Sequence, residues 1–197
     1  MSELKEAKKE YSTKEKILRE GLKLIQTKGY NGFSFKDIAE SIGIRKASVH
    51  HHFKSKELLG VQVIEYYRNK LIDQAEEFLT RNIPTGEKLD GYFNFFLYWY
   101  NRGQRVCPAG VLTAEFSTLP ESLQTEVKTL AGYNISWIER VLMEENRNGT
   151  FKIPGSPRDK AEEIATKIQG ALLWGRMFGL SYLENIIEQT KKELIVR

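Results

Sequence analysis

The chain has 197 residues, of which 41% are hydrophobic and 28% charged, and it contains only 5 prolines and 15 glycines. These values exclude a collagen-like chain, a disordered chain and a mini-protein that depends on disulfides. The net charge of +4 is unevenly divided. Residues 1–60 carry 13 Lys and Arg against 8 Asp and Glu, whereas residues 61–197 carry 17 against 18. A basic N-terminal part suggests contact with phosphates, although a solvated surface can have the same excess.

Three further features bear on where in the cell the protein is found. The longest uncharged stretch, Gly91–Asn101, is shorter than the roughly 18 to 20 apolar residues of a membrane span. The first residues carry several charges and no apolar segment of the kind found in signal peptides. Cys107, the one cysteine, cannot form an internal disulfide or a cysteine-based zinc cluster. We therefore expect a cytoplasmic protein that does not enter a membrane.

Apolar residues recur at helical spacing from end to end, so we predict an all-α fold of about nine helices. Residues 1–11 lack an apolar face and are predicted to form a flexible arm. A capping box at Ser12 starts the first helix, and Gly29 ends it. Ser34 caps a short second helix that stops at Gly43. A third helix follows at 46–52, and Ser55 caps a long fourth one.

Proline and glycine divide the remaining chain. A break at 82–86 precedes a fifth helix, expected from Glu87 to about Val106. Pro108 suits the first turn of a sixth helix, and Pro120 opens a seventh that runs to about residue 148. The eighth and ninth helices are expected at about 158–178 and 181–194, on either side of Gly179.

The second and third helices have the length and spacing of a helix-turn-helix, with Gly43 in the turn. The third helix is rich in groups that contact phosphates and base edges and poor in apolar ones. Its three consecutive histidines, at 50–52, do not share a helical face, so no metal site is expected. No cofactor is expected either. The candidate DNA contacts are Ser34, Lys36, Arg45, Lys46, Ala47, Ser48, His50, His51, Lys54 and Lys56.

About 47 residues of this region resemble the N-terminal signature of TetR-family transcriptional regulators in order and spacing. The matching residues are Ile17-Leu18, Lys28-Gly29-Tyr30, Phe33–Ala39, Gly43-Ile44 and Val49–Leu59. The resemblance implies an all-helical homodimer with a DNA-binding domain at 12–55 and an effector-binding and dimerisation domain at 56–197. The chain departs from the signature at Arg45, where a Ser or Thr N-cap is usual, and at His50, where Tyr is usual.

The fifth helix carries seven aromatic residues in nine positions, too many for one face. Some of them must be core, and others can line an apolar effector pocket. The candidate pocket residues are Phe96, Tyr98, Trp99, Cys107, Phe116, Tyr133 and Trp137.

Cys107 is a predicted N-cap, because Pro108 suits the first position of a helix. The positive end of that helix and the nearby Arg105 are expected to lower the pKa of its thiol and make it reactive. Residues 105–112 resemble a TetR subgroup that includes repressors of electrophile and oxidant defence. A buried, structural cysteine is the alternative.

An apolar stripe on the eighth helix continues onto the ninth, and two copies of this pair would form a four-helix dimer interface. A monomer core could use the same stripe. The candidate interface residues are Ile164, Ile168, Ala171, Leu172, Gly175 and Ile186.

These features predict a repressor that binds a double-stranded DNA operator as a homodimer and is released by a small-molecule effector. A thiol sensor acting through Cys107 is one alternative, and a non-specific architectural DNA-binding protein is another. Catalysis is not expected, because Cys107 and the histidines lie in different parts of the chain and no oxyanion or phosphate loop is apparent.

Overall fold

The computed structural model describes residues 11–80, 85–148 and 155–194. These residues form nine α-helices, a short 3₁₀ turn at Phe116–Thr118 and no strand, which confirms the predicted all-α class. The helices are α1 (Thr13–Lys28), α2 (Phe35–Ser41), α3 (Lys46–His52), α4 (Lys56–Thr80), α5 (Thr85–Tyr100), α6 (Pro108–Thr113), α7 (Glu121–Asn148), α8 (Pro157–Phe178) and α9 (Leu180–Leu194). Except for residue 11, the predicted arm lies outside the described residues, as does most of the break predicted at 82–86. None of the described helices is both long enough and apolar enough to cross a bilayer.

Helices α1–α3, here called the head, begin and end at local signals in the sequence. The Ser12 hydroxyl accepts a hydrogen bond from the Glu15 N–H, and α1 ends at Gly29, whose φ is 78°. Ser34 and Asp37 form a complete capping box at the start of α2. Arg45 precedes α3 without a side-chain cap, as its departure from the family signature predicted.

Helices α4–α9, here called the body, differ from prediction mainly at the end of α5. This helix ends at Tyr100, not near Val106, so the predicted boundary was wrong. Positive φ angles of 95° at Gly103 and 53° at Gln104 turn the chain away. Cys107 then adopts an extended conformation, which Pro108 favours in the residue before it, and α6 begins at the proline.

The core of the body lies around α8, which packs on both α7 and α9, and α4 also packs on α7. Ile138 and Leu142 of α7 are fully buried there, as are Ile164 and Leu172 of α8. The head joins the body through the packing of α1 on α4.

Polar contacts also connect the head with the body. The backbone N–H and side-chain amide of Asn31 donate to the Glu115 carboxylate, at 2.9 and 3.0 Å. The Arg176 guanidinium on α8 donates to the backbone carbonyl of Gln26 on α1. The Lys56 ammonium at the start of α4 donates to the backbone carbonyl of Phe33 in the head. The head is therefore held at several separate points of the body.

Candidate nucleic-acid interface and effector cavities

Helix α3 packs on the rest of the head with one face and exposes the opposite face to solvent. Val49 on α3 and Phe53 just after it are fully buried in the head core. Lys46, His50 and His51 are exposed. Because few side chains anchor α3 in the core, most of its surface is free to enter the DNA major groove, which is about as wide as a helix.

The turn between α2 and α3 sets their relative orientation. Gly43 adopts a φ of 69°, which favours glycine, and the Ile44 N–H donates to the Ala39 carbonyl at 2.9 Å. Ile38 and Ala39 of α2 are buried against the rest of the head. This arrangement is that of a helix-turn-helix with α3 as its second helix.

Other predicted DNA contacts lie on α3 or close to it in the sequence. Arg45, Ala47 and Lys54 are exposed, and Ser48 is half-buried. Lys36 is exposed and lies 3.7 Å from Glu40, one turn further along α2. An exposed pair of this kind is weak, so Lys36 remains available to a phosphate.

Ser34 has a structural task as well as an exposed position. Its hydroxyl donates to the Asp37 carboxylate at 2.6 Å, and its backbone N–H donates to the same oxygen at 2.7 Å. These hydrogen bonds lower the pKa of the Asp37 carboxyl. Ser34 therefore fixes the start of α2, beside the surface that α3 presents.

Lys56 is turned inward, unlike the other predicted DNA contacts. Its ammonium donates to the Phe33 carbonyl and lies 4.7 Å from the ring centroids of both Tyr30 and Phe33. Burial is the main cause of its lowered pKa. The structure therefore places Lys56 among the groups that hold the head together.

The histidines of α3 do not form a metal site. The ring of His50 packs edge-on against Phe35 with centroids 4.7 Å apart, and His51 packs edge-on against His52 at 5.3 Å. Within residues 11–80, 85–148 and 155–194, no group of three metal-ligating side chains is close enough to hold an ion.

The body contains a small aromatic cavity, here called the inner cavity, of about 40 Å³. Tyr92 and Trp137 stack beside it with centroids 5.6 Å apart, and the Trp137 indole donates to the Ala75 carbonyl at 3.3 Å. Its lining residues come from α4, α5 and α7: Leu71, Gln74, Ala75, Gly91, Tyr92, Phe95, Tyr133, Asn134 and Trp137.

A larger cavity of about 260 Å³, here called the junction cavity, lies where the head meets the body. It shares Leu71, Gln74 and Phe95 with the inner cavity, so the two adjoin. Its lining residues come from α1, α4, α5 and the segment before α6: Arg19, Leu22, Gln26, Tyr66, Tyr67, Lys70, Leu71, Asp73, Gln74, Phe95, Trp99 and Arg105.

The structure brings three of the seven predicted pocket residues to these cavities: Tyr133 and Trp137 to the inner one, and Trp99 to the junction cavity. Cys107 and three aromatic residues lie on neither wall. Phe96 is buried in the core with an edge contact to Tyr92, Tyr98 stacks under Arg102, and Phe116 packs beneath Lys128.

Cys107 occupies the predicted N-cap position of α6 but is only 3% exposed. Burial raises the pKa of its thiol, and this outweighs the opposing hydrogen bonds from the Ala109 and Gly110 backbone and the Tyr67 hydroxyl. The expectation of a lowered thiol pKa was therefore wrong. A helix N-terminus favours the thiolate, but removal from water costs more at this site.

The stripe predicted to pair two protomers belongs to the core of a single protomer. Ile164, Ile168, Ala171, Leu172 and Gly175 are all buried within the chain, and Ile186 is half-buried. The interface prediction is corrected accordingly, because α7 and α9 already cover this face of α8.

A different face of α8 remains apolar and exposed. Trp174, Met177 and Phe178 form it, and Tyr182 of α9 lies beside them; these four residues are here called the aromatic patch. Trp174, Met177 and Phe178 lie next to the predicted stripe in the sequence but were not among the candidate interface residues. Exposed large apolar side chains, clustered in this way, are typical of a protein interface.

The exposed basic helix and the helix-turn-helix geometry define a DNA-binding protein with a helical body, and comparisons with known proteins agree. Residues 17–61 match the family described as bacterial regulatory proteins, tetR family. The crystal structure of a TetR transcriptional regulator from Legionella pneumophila is 33% identical, with a TM-score of 0.87 over 94% of this chain and 98% of that one. The chain belongs to the TetR family of transcriptional regulators, which are not enzymes.

Two named relatives are repressors. The biofilm operon icaADBC HTH-type negative transcriptional regulator IcaR of Staphylococcus epidermidis is 33% identical over 58% of this chain and 59% of its own length. The HTH-type transcriptional repressor NemR of Escherichia coli is 24% identical over 92% of this chain and 94% of its own. This chain is thus similar to one relative over about half of its length and to the other over nearly all of it.

Proposed function

We propose that this protein is a sequence-specific repressor that binds a DNA operator as a homodimer and leaves it when a small effector occupies the body. The outward basic and polar face of α3 is the observation that carries the proposal. Residues 12–55 would form the DNA-binding domain and residues 56–197 the effector-binding and dimerisation domain. The names of the relatives IcaR and NemR support repression of transcription rather than activation. Such a protein would act in the cytoplasm.

In the complex, α3 enters the major groove of each half-site. Lys46 and His51 are exposed on it and are available to base edges and phosphates. Arg45 and Lys54, at its two ends, are exposed and would contact phosphates. Lys56 contributes by holding the loop at Phe33 in position rather than by contacting DNA.

Dimerisation would bury the aromatic patch. Pairing α8 and α9 with their symmetry copies covers Trp174, Met177 and Phe178 and forms a four-helix contact. A two-fold dimer then presents two α3 helices to major grooves about one helical turn apart, on an operator that is roughly palindromic.

The effector would occupy the adjoining inner and junction cavities. Both are bounded by α4, the helix that connects the head to the body, and the junction cavity is also bounded by α1. A ligand that binds one arrangement of the head more tightly than another changes operator affinity by that difference, typically about 1 to 3 kcal/mol.

Selection of duplexes from a random library, followed by competition with random DNA, tests the DNA-binding proposal. We expect an enriched, roughly palindromic site. Replacing both Lys46 and His51 with Ala should weaken binding to it by at least about tenfold. Lys128→Ala, which removes an exposed lysine from α7, is the matched control and should leave binding unchanged. Equal affinity for every duplex would instead support an architectural DNA-binding protein.

The alternative of a thiol sensor relies on Cys107. Its buried position and raised thiol pKa favour the effector cavities over this alternative. The measurement that separates them is operator release by an electrophile in the native protein and in Cys107→Ser. Release that is lost only in the variant would establish the sensor, and equal behaviour would exclude it.

A further inference from the structure

The wall of the junction cavity has an excess of positive charge. Arg19, Lys70 and Arg105 line it, against one carboxylate, Asp73. Arg105 is half-buried and lies 5.5 Å from the ring centroid of Trp99. Among the described residues, no carboxylate forms an ion pair with Arg105. Glu20 acts on Arg105 only from beyond ion-pair distance. A half-buried guanidinium with no carboxylate within ion-pair distance can bind an added anion.

The same cavity contains polar groups whose hydrogen bonds are unmade. Gln26 is only 2% exposed, and its side-chain amide makes no hydrogen bond to any described residue; only its backbone carbonyl is engaged, by Arg176. The buried Tyr66 hydroxyl also lacks a partner. Buried polar groups are nearly always hydrogen-bonded, so the Tyr66 hydroxyl indicates a polar ligand atom at this wall, which Gln26 also lines.

The apolar side of the site lies toward the inner cavity. Leu71 and Phe95 belong to both cavities, and Tyr133 and Trp137 form the far wall of the inner one. The junction cavity, at about 260 Å³, is near the lower end of the roughly 300 to 1,000 Å³ of small-molecule sites. The site therefore suits a small molecule with a polar end and an apolar end.

We propose that the effector is a small amphipathic carboxylate. Its carboxylate binds Arg105 and the Gln26 amide in the junction cavity, and its apolar part extends past Phe95 toward Trp137. A carboxylate is favoured because its two oxygens match the planar fork of a guanidinium. The inference rests on the proposed function, since it specifies which effectors the two cavities accept.

The position of this anion explains how binding would reach the head. Gln26 belongs to α1 of the head, whereas Arg105 precedes α6 of the body. A carboxylate that bridges them favours one separation of the head from the body. It would select that arrangement because it binds the others less tightly.

The test measures binding to the full-length protein, without DNA, by tryptophan fluorescence and calorimetry. The probes are the straight-chain carboxylates from hexanoate to dodecanoate and 4-phenylbutanoate, each with its primary amide of nearly equal shape. At least one acid should bind about tenfold or more tightly than its amide. Equal binding of every acid and amide overturns the inference, as does failure of the whole series at concentrations up to about 1 mM.

Variants then locate the carboxylate. Arg105→Gln should weaken binding of the best acid about tenfold or more and leave its amide within about twofold. Arg105→Lys should keep part of the preference for the acid, because the charge remains. Arg102→Gln is the matched control: Arg102 is exposed, stacks on Tyr98 and lies on neither cavity wall. An undiminished preference in Arg105→Gln overturns the assignment.

Separate measurements of operator binding test the proposed function. Binding of the selected operator duplex without any probe tests DNA recognition, and its loss on addition of the best acid tests release. A protein that binds its operator but shows no preference for acids keeps its proposed role as a repressor and loses only this effector class. A protein without a specific operator loses the proposed role even where acids bind.

Discussion

The proposed dimer can be tested by removing one side chain from the aromatic patch. Trp174 is 55% exposed in the protomer, beside Phe178 at 60% and Met177 at 69%. Its ring already packs against Phe178 and Tyr182, with centroids 6.3 Å away in each case. The indole is thus held in place on the surface, ready for a partner to cover. We expect Trp174→Ala to weaken the dimer strongly while leaving the protomer folded.

The size of the effect follows from the exposed area. A tryptophan side chain can bury about 250 Å², so the exposed 55% of Trp174 corresponds to about 140 Å². At about 25 cal/mol per Å², covering it contributes about 3 kcal/mol in each protomer. The free energy lost is doubled because both protomers carry the substitution, whereas incomplete coverage of the indole in the dimer reduces the loss. A loss of at least about 3 kcal/mol is expected, which raises the dimer dissociation constant by about a hundredfold or more.

Sedimentation equilibrium over a range of protein concentrations measures that constant. Met143→Ala is the matched control, because Met143 is 44% exposed on α7, outside the aromatic patch. It should leave the dimer constant unchanged. The variant Trp174→Ala should also weaken operator binding at concentrations where it is monomeric, because one protomer reaches only one half-site. An unchanged dimer constant in Trp174→Ala would refute this placement of the interface.

Three further predictions concern the head, its contact with the body and the thiol. Lys46→Ala should reduce the slope of log affinity for the operator against log salt by about two, one phosphate contact for each head of the dimer; an unchanged slope would mean that Lys46 touches no phosphate. Gly29→Ala should lower the free energy of unfolding in urea by about 2 kcal/mol or more, because φ is 78° there and an added Cβ would lie 1.8 Å from the Glu115 carboxylate. Gly132→Ala, in an open helical position, is its control and should be neutral or slightly stabilising. Iodoacetamide at about pH 7 should modify Cys107 in the folded protein far more slowly than in urea, and the rate should rise with pH as the thiol approaches its raised pKa; equal rates would show that the thiol is accessible.

The parts of the fold that depend on local chemistry were predictable from the sequence. Ser34 and Gly29 act on their own backbone neighbours, so their effect can be read from a few residues. The outward face of α3 was predictable because its polar residues left few apolar ones to face inward, and of these Val49 is the one buried within the helix. The end of α5 was missed because its aromatic run gives no local stop signal before Gly103.

The burial of particular side chains depended on tertiary packing and was harder to predict. The stripe at Ile164 and Ile168 fits a monomer core and a dimer interface equally well, and only the positions of α7 and α9 decide between them. The N-cap position of Cys107 was predicted correctly, but the desolvation that controls its pKa comes from neighbours distant in sequence. The junction cavity was missed for the same reason, since Gln26 and Arg105 belong to different parts of the chain.

Helix α8 offers a route by which the two cavities can influence the distance between the heads. Arg176 lies between Trp174 and Phe178 of the aromatic patch, yet its guanidinium reaches the other way and donates to the carbonyl of Gln26. The same Gln26 lines the junction cavity. A ligand that moves Gln26 must therefore either stretch this hydrogen bond or shift α8, the helix proposed to pair the protomers. Gln26 thus takes part both in the cavity wall and in the contact with α8. A small displacement of Gln26 therefore changes the position of each head relative to the two-fold axis. Binding to a palindromic operator depends on that position.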